Sequence, residues 1–137
     1  VPTIFFFLGI LLAVASLQSM GHLNDMALIL DNTFDGNIFA INIIIGLLSA
    51  IVDNVPLVAG AMGMYEIGTG VFAVDGTFWE FLAYCAGTGG SVLIIGSAAG
   101  VAVMGILKID FIWYVKKISF LAFIGYIAGA ITYILMQ

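Results

Sequence analysis

The chain reads as an all-α, polytopic membrane protein whose helices are interrupted at two places. Three features lead there. Hydrophobic residues make up 64% of the sequence and charged residues 8%, far outside the range of soluble domains. The apolar residues fall in runs of helical length. Two polar islands, Asp53-Asn54-Val55-Pro56 and Gly87-Thr88-Gly89-Gly90-Ser91, lie inside those runs. Polar groups and helix breakers at bilayer depth are costly and mark pathways for ions or substrates.

Taken in order, residues 4–20 form an apolar stretch long enough to cross a ~30 Å hydrocarbon core. It fades through Gln18, Ser19, Gly21 and His22. Residues 23–30, bounded by Asp25 and Asp31, make a short amphipathic piece suited to the interface. Asp31, Asn32, Asp35, Gly36 and Asn37 form a polar loop. The run 38–52 would be roughly 22 Å long as a helix, too short to span. Asp53-Asn54 interrupts it, and Pro56 suits the first turn of a new helix over 57–65. A Gly-rich loop, 66–76, follows. Residues 78–107 read as a broken helix, interrupted over Gly87 to Gly90. Residues 118–136 are the last full-length span.

All three lysines, Lys108, Lys116 and Lys117, fall in one loop, which is therefore expected on the cytoplasmic side. The segment 38–66 is either one kinked spanning helix or a re-entrant hairpin turning at Asp53-Asn54. The hairpin suits the half-lengths and the lysine placement better. Trp79, Trp113 and Tyr114 fall at span ends and are expected as interfacial anchors, and Glu66 and Glu80 as solvated.

Non-helical backbone survives at membrane depth only inside protein or against a wet cavity. A break frees carbonyls and N–H groups and concentrates the fields of the half-helices. Asp53, Asn54, Thr88 and Ser91 offer side-chain oxygens, the hard ligands an alkali cation prefers. Gly87, Gly89 and Gly90 offer backbone that a ligand can approach closely. Asp53, Asn54 and Thr88 are the expected ligands of a Na⁺ ion. A carboxylate in a poorly solvated site favours either a proton or a cation beside it. Competition of the two for Asp53 is the minimum that antiport needs.

Structural roles compete with these. Asp53 sits where a helix N-cap would. Thr88 and the glycines suit a packing notch between helices. Ser97 and the small residues around it read as packing. Ser49, one turn ahead of Asp53, has no role assigned from sequence. Cys85 reads as a small buried hydrophobe, and His22 lacks the neighbours of a metal site. With three lysines and no arginine there is no nucleic-acid footprint.

The segments from Ser49 to Ala59, from Leu82 to Ser91 and from Ile95 to Ala102 resemble the NhaD-type sodium/proton antiporters of the ion transporter superfamily. The resemblance runs over nearly the whole chain and is weakest across 21–37. Leu107 departs from the pattern, where an acidic residue is expected. The resemblance implies two inverted repeats, each with a re-entrant hairpin and a discontinuous helix meeting near the midplane. This chain would be the second repeat, the C-terminal portion of a larger transporter. Its partners would be the lipid bilayer, the missing first repeat and a second copy in a homodimer.

The resulting expectation is antiport of Na⁺ or Li⁺ against H⁺ in a bacterial inner membrane. No cofactor is implied and no enzyme motif is present. The alternatives are a superfamily carrier of an oxyanion or carboxylate, and a non-transporting membrane subunit. A carboxylate at the hairpin tip disfavours an anion site.

Overall fold

The computed structural model describes residues 2–137; Val1 lies outside them. Every regular element among the described residues is helical. Helix α1 spans Pro2–Ser19 and α2 spans His22–Thr33. Gly21 joins them in the left-handed conformation (φ 81°), which glycine adopts without steric cost. Helix α3 spans Ile38–Leu48; the Asn37 side chain caps it by accepting from the N–H groups of Phe39 and Ala40. Helix α4 spans Asn54–Met64 with Pro56 in its first turn, where a missing N–H leaves no intrahelical bond unmade. Helix α5 spans Thr77–Gly89. An irregular stretch, 90–97, holding a short turn at Ile94–Gly96, separates it from α6, Ala98–Leu107. The last helix, α7, spans Phe111–Met136.

Helix α5 is central, and α3 runs parallel to it. Near their starts, the Asn42 amide donates to the Phe78 carbonyl at 3.1 Å. Near their ends, the Ser49 hydroxyl donates to the Ala86 carbonyl at 2.7 Å. Between these bonds the backbones touch. A Cβ on Gly46 would lie 2.6 Å from the Cys85 carbonyl oxygen, and one on Gly89 would run into the Gly46 carbonyl. In lipid, apolar helix faces gain little from associating with each other. Close backbone approach and interhelical hydrogen bonds therefore hold such pairs together.

Helix α4 returns antiparallel. Ala61, towards its end, shares a buried cluster with Ile41, Ile45, Phe78 and Leu82. The Tyr65 hydroxyl donates to the Asp31 carboxylate at 3.1 Å. One continuous helix across 38–66 would hold Tyr65 roughly 40 Å from the start of α3. The chain instead reverses within 49–53.

Helix α7 packs on the other side of α5 through Phe81, Cys85, Tyr126 and Ala130. Tyr126 ties three helices together. Its hydroxyl donates to the Ile43 carbonyl at 2.8 Å, and its own carbonyl accepts from the Tyr84 hydroxyl at 2.9 Å.

The structure departs from the sequence expectation in three places. Gly87, Thr88 and Gly89 continue α5, so the interruption falls at 90–97. A lone glycine weakens a helix by only about 1 kcal/mol, and the tight α3 contact at Gly89 outweighs that. Second, α7 starts at Phe111 rather than 118. Asp110 caps it, accepting from the Trp113 N–H at 3.2 Å, and Lys116 and Lys117 lie in a π-helical turn, Val115–Ser119. Third, Asp31 and Asn32, expected in a polar loop, lie in α2, which runs to Thr33. Trp79 donates to the Phe72 carbonyl at 3.2 Å and packs edge-on against Phe78, as part of an aromatic cluster. Cys85 is buried, as expected. Among the described residues, one helix, Phe111–Met136, is long and apolar enough to cross a membrane. Helix α1, at 18 residues, reaches roughly 27 Å.

Candidate functional site

Because α3 and α5 run parallel, their carbonyl ends arrive at one level, at Ser49 and Gly89–Gly90. Each end carries roughly half a negative charge. The amino end of α4 starts beside them at Asn54. The 90–97 stretch folds over the same point, and two buried glycines make that possible. A Cβ on Gly96 would lie 2.5 Å from both the Gly90 and Ser49 carbonyl oxygens. One on Gly90 would lie 2.8 Å from the Asn54 side-chain oxygen and 3.2 Å from the Ser49 hydroxyl and the Gly96 carbonyl. Carbonyl, amide and hydroxyl oxygens of the 49–54 reversal and of the break thus surround two positions that have no side chain.

Ser49 is fully buried at the centre of this cluster. Its hydroxyl contacts both the Ala86 carbonyl and the Asn54 side-chain oxygen. A hydroxyl has one proton, and both of these oxygens are acceptors for it. Ser49 therefore clamps the reversal to α5. Sequence alone left it without a role, although its place one helical turn before Asp53 was a usable signal.

The expected site residues separate into two groups. Asn54 and Gly90 belong to the oxygen cluster. Asp53 is half-buried at the N-cap position of α4, and its side chain makes no capping bond. Its carboxylate is not spent on the helix end. Gly89 belongs to the α3 seam instead of the cluster. Thr88 and Ser91 are turned towards α5: the Thr88 hydroxyl donates to the Tyr84 carbonyl and the Ser91 hydroxyl to the Thr88 carbonyl, each at 2.6 Å. A Cβ on Gly87 would meet nothing within 4 Å. Gly87 faces an apolar groove of about 480 Å³ between α4 and α5, with Asn54 among its lining residues. Ser97, expected as packing, caps α6 by accepting from the Gly100 N–H at 3.0 Å.

No protein-family model and no solved structure matches this chain. Curated relatives do. Sodium/proton antiporter 1 of Arabidopsis thaliana is 54% identical over 132 residues, covering 94% of this chain and 22% of the relative. Sodium/proton antiporter 2 of the same plant is 52% identical over 129 residues, covering 94% of this chain and 30% of the relative. The Na(+)/H(+) antiporter NhaD of Alkalimonas amylolytica is 37% identical over 130 residues, covering 93% of this chain and 25% of the relative. The chain thus spans less than a third of the length of these relatives. They include plant and bacterial proteins, so a bacterial inner membrane does not follow from them. The chain is a membrane protein that belongs to the sodium/proton antiporter family containing NhaD, and it corresponds to the C-terminal portion of those proteins.

Proposed function

We propose that this chain carries the ion-binding half of a secondary transporter that exchanges Na⁺ or Li⁺ for H⁺. The supporting observation is the convergence of the 49–54 reversal and the 90–97 interruption on Gly90 and Gly96; Asp53 directly precedes Asn54 in that reversal, with its carboxylate free of any capping bond. In this reading α3 and α4 form a re-entrant hairpin, and α5 with α6 forms one discontinuous transmembrane helix. Carbonyl oxygens of Ser49, Gly90 and Gly96, with Asn54, contribute to the coordination of the cation. Two helix carbonyl ends favour its charge. Asp53 supplies the negative charge that a proton or a cation neutralises, so one leaves as the other arrives. Thr88 and Ser91 position the end of α5. The remaining length of the relatives accommodates a first inverted repeat that completes the site. No cofactor enters the cycle, and the transported ions are its substrates.

The test is cation-driven collapse of a pH gradient in everted membrane vesicles carrying the complete transporter. Addition of Na⁺ or Li⁺ should dissipate the gradient, and addition of citrate or arsenite should not. Dissipation by the anions alone would establish a carrier of oxyanions or carboxylates in place of the antiporter. A correctly inserted protein inert to all four would support a non-transporting subunit.

A further inference from the structure

Tyr114 stands at the start of α7, where an interfacial anchor was expected. Its hydroxyl instead donates to the Ser91 carbonyl at 2.8 Å. Ser91 is the residue directly after Gly90, and Tyr114, Ser91 and Gly90 share one cavity of about 320 Å³ beside the interruption. On its other side the Ser91 residue is fastened to α5, since both its N–H and its hydroxyl donate to the Thr88 carbonyl. The Tyr114 bond is thus the cross-link that ties the first turn of the interruption to a different helix.

The way α7 is built gives this cross-link a second aspect. Its shaft is fixed to the rest of the molecule by Tyr126 and Ala130, which are buried against α5. Its tip, from Phe111 to Tyr114, is fixed to the interruption. Between tip and shaft lies the π-helical turn Val115–Ser119, where the Ser119 hydroxyl is buried without a partner. Such turns lengthen the hydrogen-bond ring and are frequent at functional sites. A packed shaft, a π-helical turn and a hydrogen-bonded tip thus lead to the carbonyl next to Gly90.

We propose that Tyr114 is a positioning residue for the cation site. By holding the Ser91 carbonyl it fixes where the Gly90 carbonyl lies, and the π-turn lets this hold move with the transport cycle. The inference rests on the antiport reading for the ion and on the hydrogen bond alone for the hold.

The test uses Tyr114→Phe, which removes the hydroxyl and keeps the ring. In the complete transporter, the Na⁺ concentration for half-maximal gradient collapse should rise roughly three- to tenfold, the scale of one lost hydrogen bond. Maximal exchange and membrane insertion should change by less than twofold. Hydrogen–deuterium exchange of the 90–97 amides should accelerate in Tyr114→Phe, with the 120–136 amides unchanged. An unaltered half-maximal concentration with unaltered exchange overturns the proposal. Faster exchange throughout α7, with lowered insertion, also overturns it and makes Tyr114 a general structural support. A parent protein inert to Na⁺ and Li⁺ removes the cation role together with the antiport reading. The exchange measurement then still decides, by its own result, whether Tyr114 holds the interruption.

Discussion

Glycines in this chain look alike in the sequence and differ sharply in what they face. Gly87 has open space where a Cβ would go, whereas Gly89 has the α3 backbone and Gly96 has two carbonyl oxygens 2.5 Å away. Gly87→Ala should therefore leave the yield of folded protein within twofold of the parent, with a small gain in helix propensity. Gly89→Ala has no such room: α3 and α5 must separate, and monodisperse protein should fall severalfold in detergent size-exclusion chromatography. Gly96→Ala places a methyl among the oxygens around the two glycines. The reversal and the interruption must then part, so folded protein should also fall, and the fraction that inserts should lose Na⁺-dependent exchange, which vesicle assays at matched protein levels would check. The polar residues of the second island follow the same division. Thr88 and Ser91 are expected as ligands because hydroxyls at a break can bind a cation, and a hydroxyl that donates its proton keeps the lone pairs for that. Their sequence neighbours also offer the carbonyls at the end of α5, and those carbonyls take the hydroxyl protons.

At the scale of elements, the helical runs were legible because apolar composition and length decide whether a run can lie in lipid. The positions of the interruptions were legible only to within a few residues. Nothing in Gly87-Thr88-Gly89-Gly90 shows where α3 will press on α5, and that contact keeps the helix regular through Gly89. The start of α7 was hidden for a related reason. Lys116 and Lys117 resemble a loop in sequence, but Asp110 caps a helix ahead of them. The polar groups that register one helix against another, Asn42 and Tyr126, gave no sequence signal beyond their presence in apolar runs. Asn42 is fully buried, bonded to the Phe78 carbonyl through its amide and without a partner at its oxygen. Asn42→Ala should therefore cost only about 1 kcal/mol, since the lost bond is partly offset by removing the orphaned oxygen. Tyr126→Phe loses its bond to Ile43 and keeps its ring packing, for a similar cost. Both should appear as modest falls in thermal midpoint, with the half-maximal Na⁺ concentration unchanged. A change in that concentration would place the α3–α5 register within the ion-binding machinery.

On the scale of the whole molecule, the chain assembles the α3–α5 seam, the 49–54 reversal and the 90–97 interruption into one unit. Large apolar side chains remain exposed on α1, α6 and α7, among them Leu11, Ile106, Phe120 and Leu121. Lipid and the remaining two thirds or more of a full-length relative are the surroundings that suit these faces. In the proposed cycle the carboxylate of Asp53 is the one group whose charge the proton and the cation share. The most direct measurement is Na⁺-induced collapse of a pH gradient in everted vesicles, comparing the complete transporter with Asp53→Asn and Asp53→Glu at equal insertion. Collapse is expected in the parent, none in Asp53→Asn, and partial activity with a shifted pH profile in Asp53→Glu. Undiminished exchange in Asp53→Asn would contradict it, because the coupling would then run through a different group.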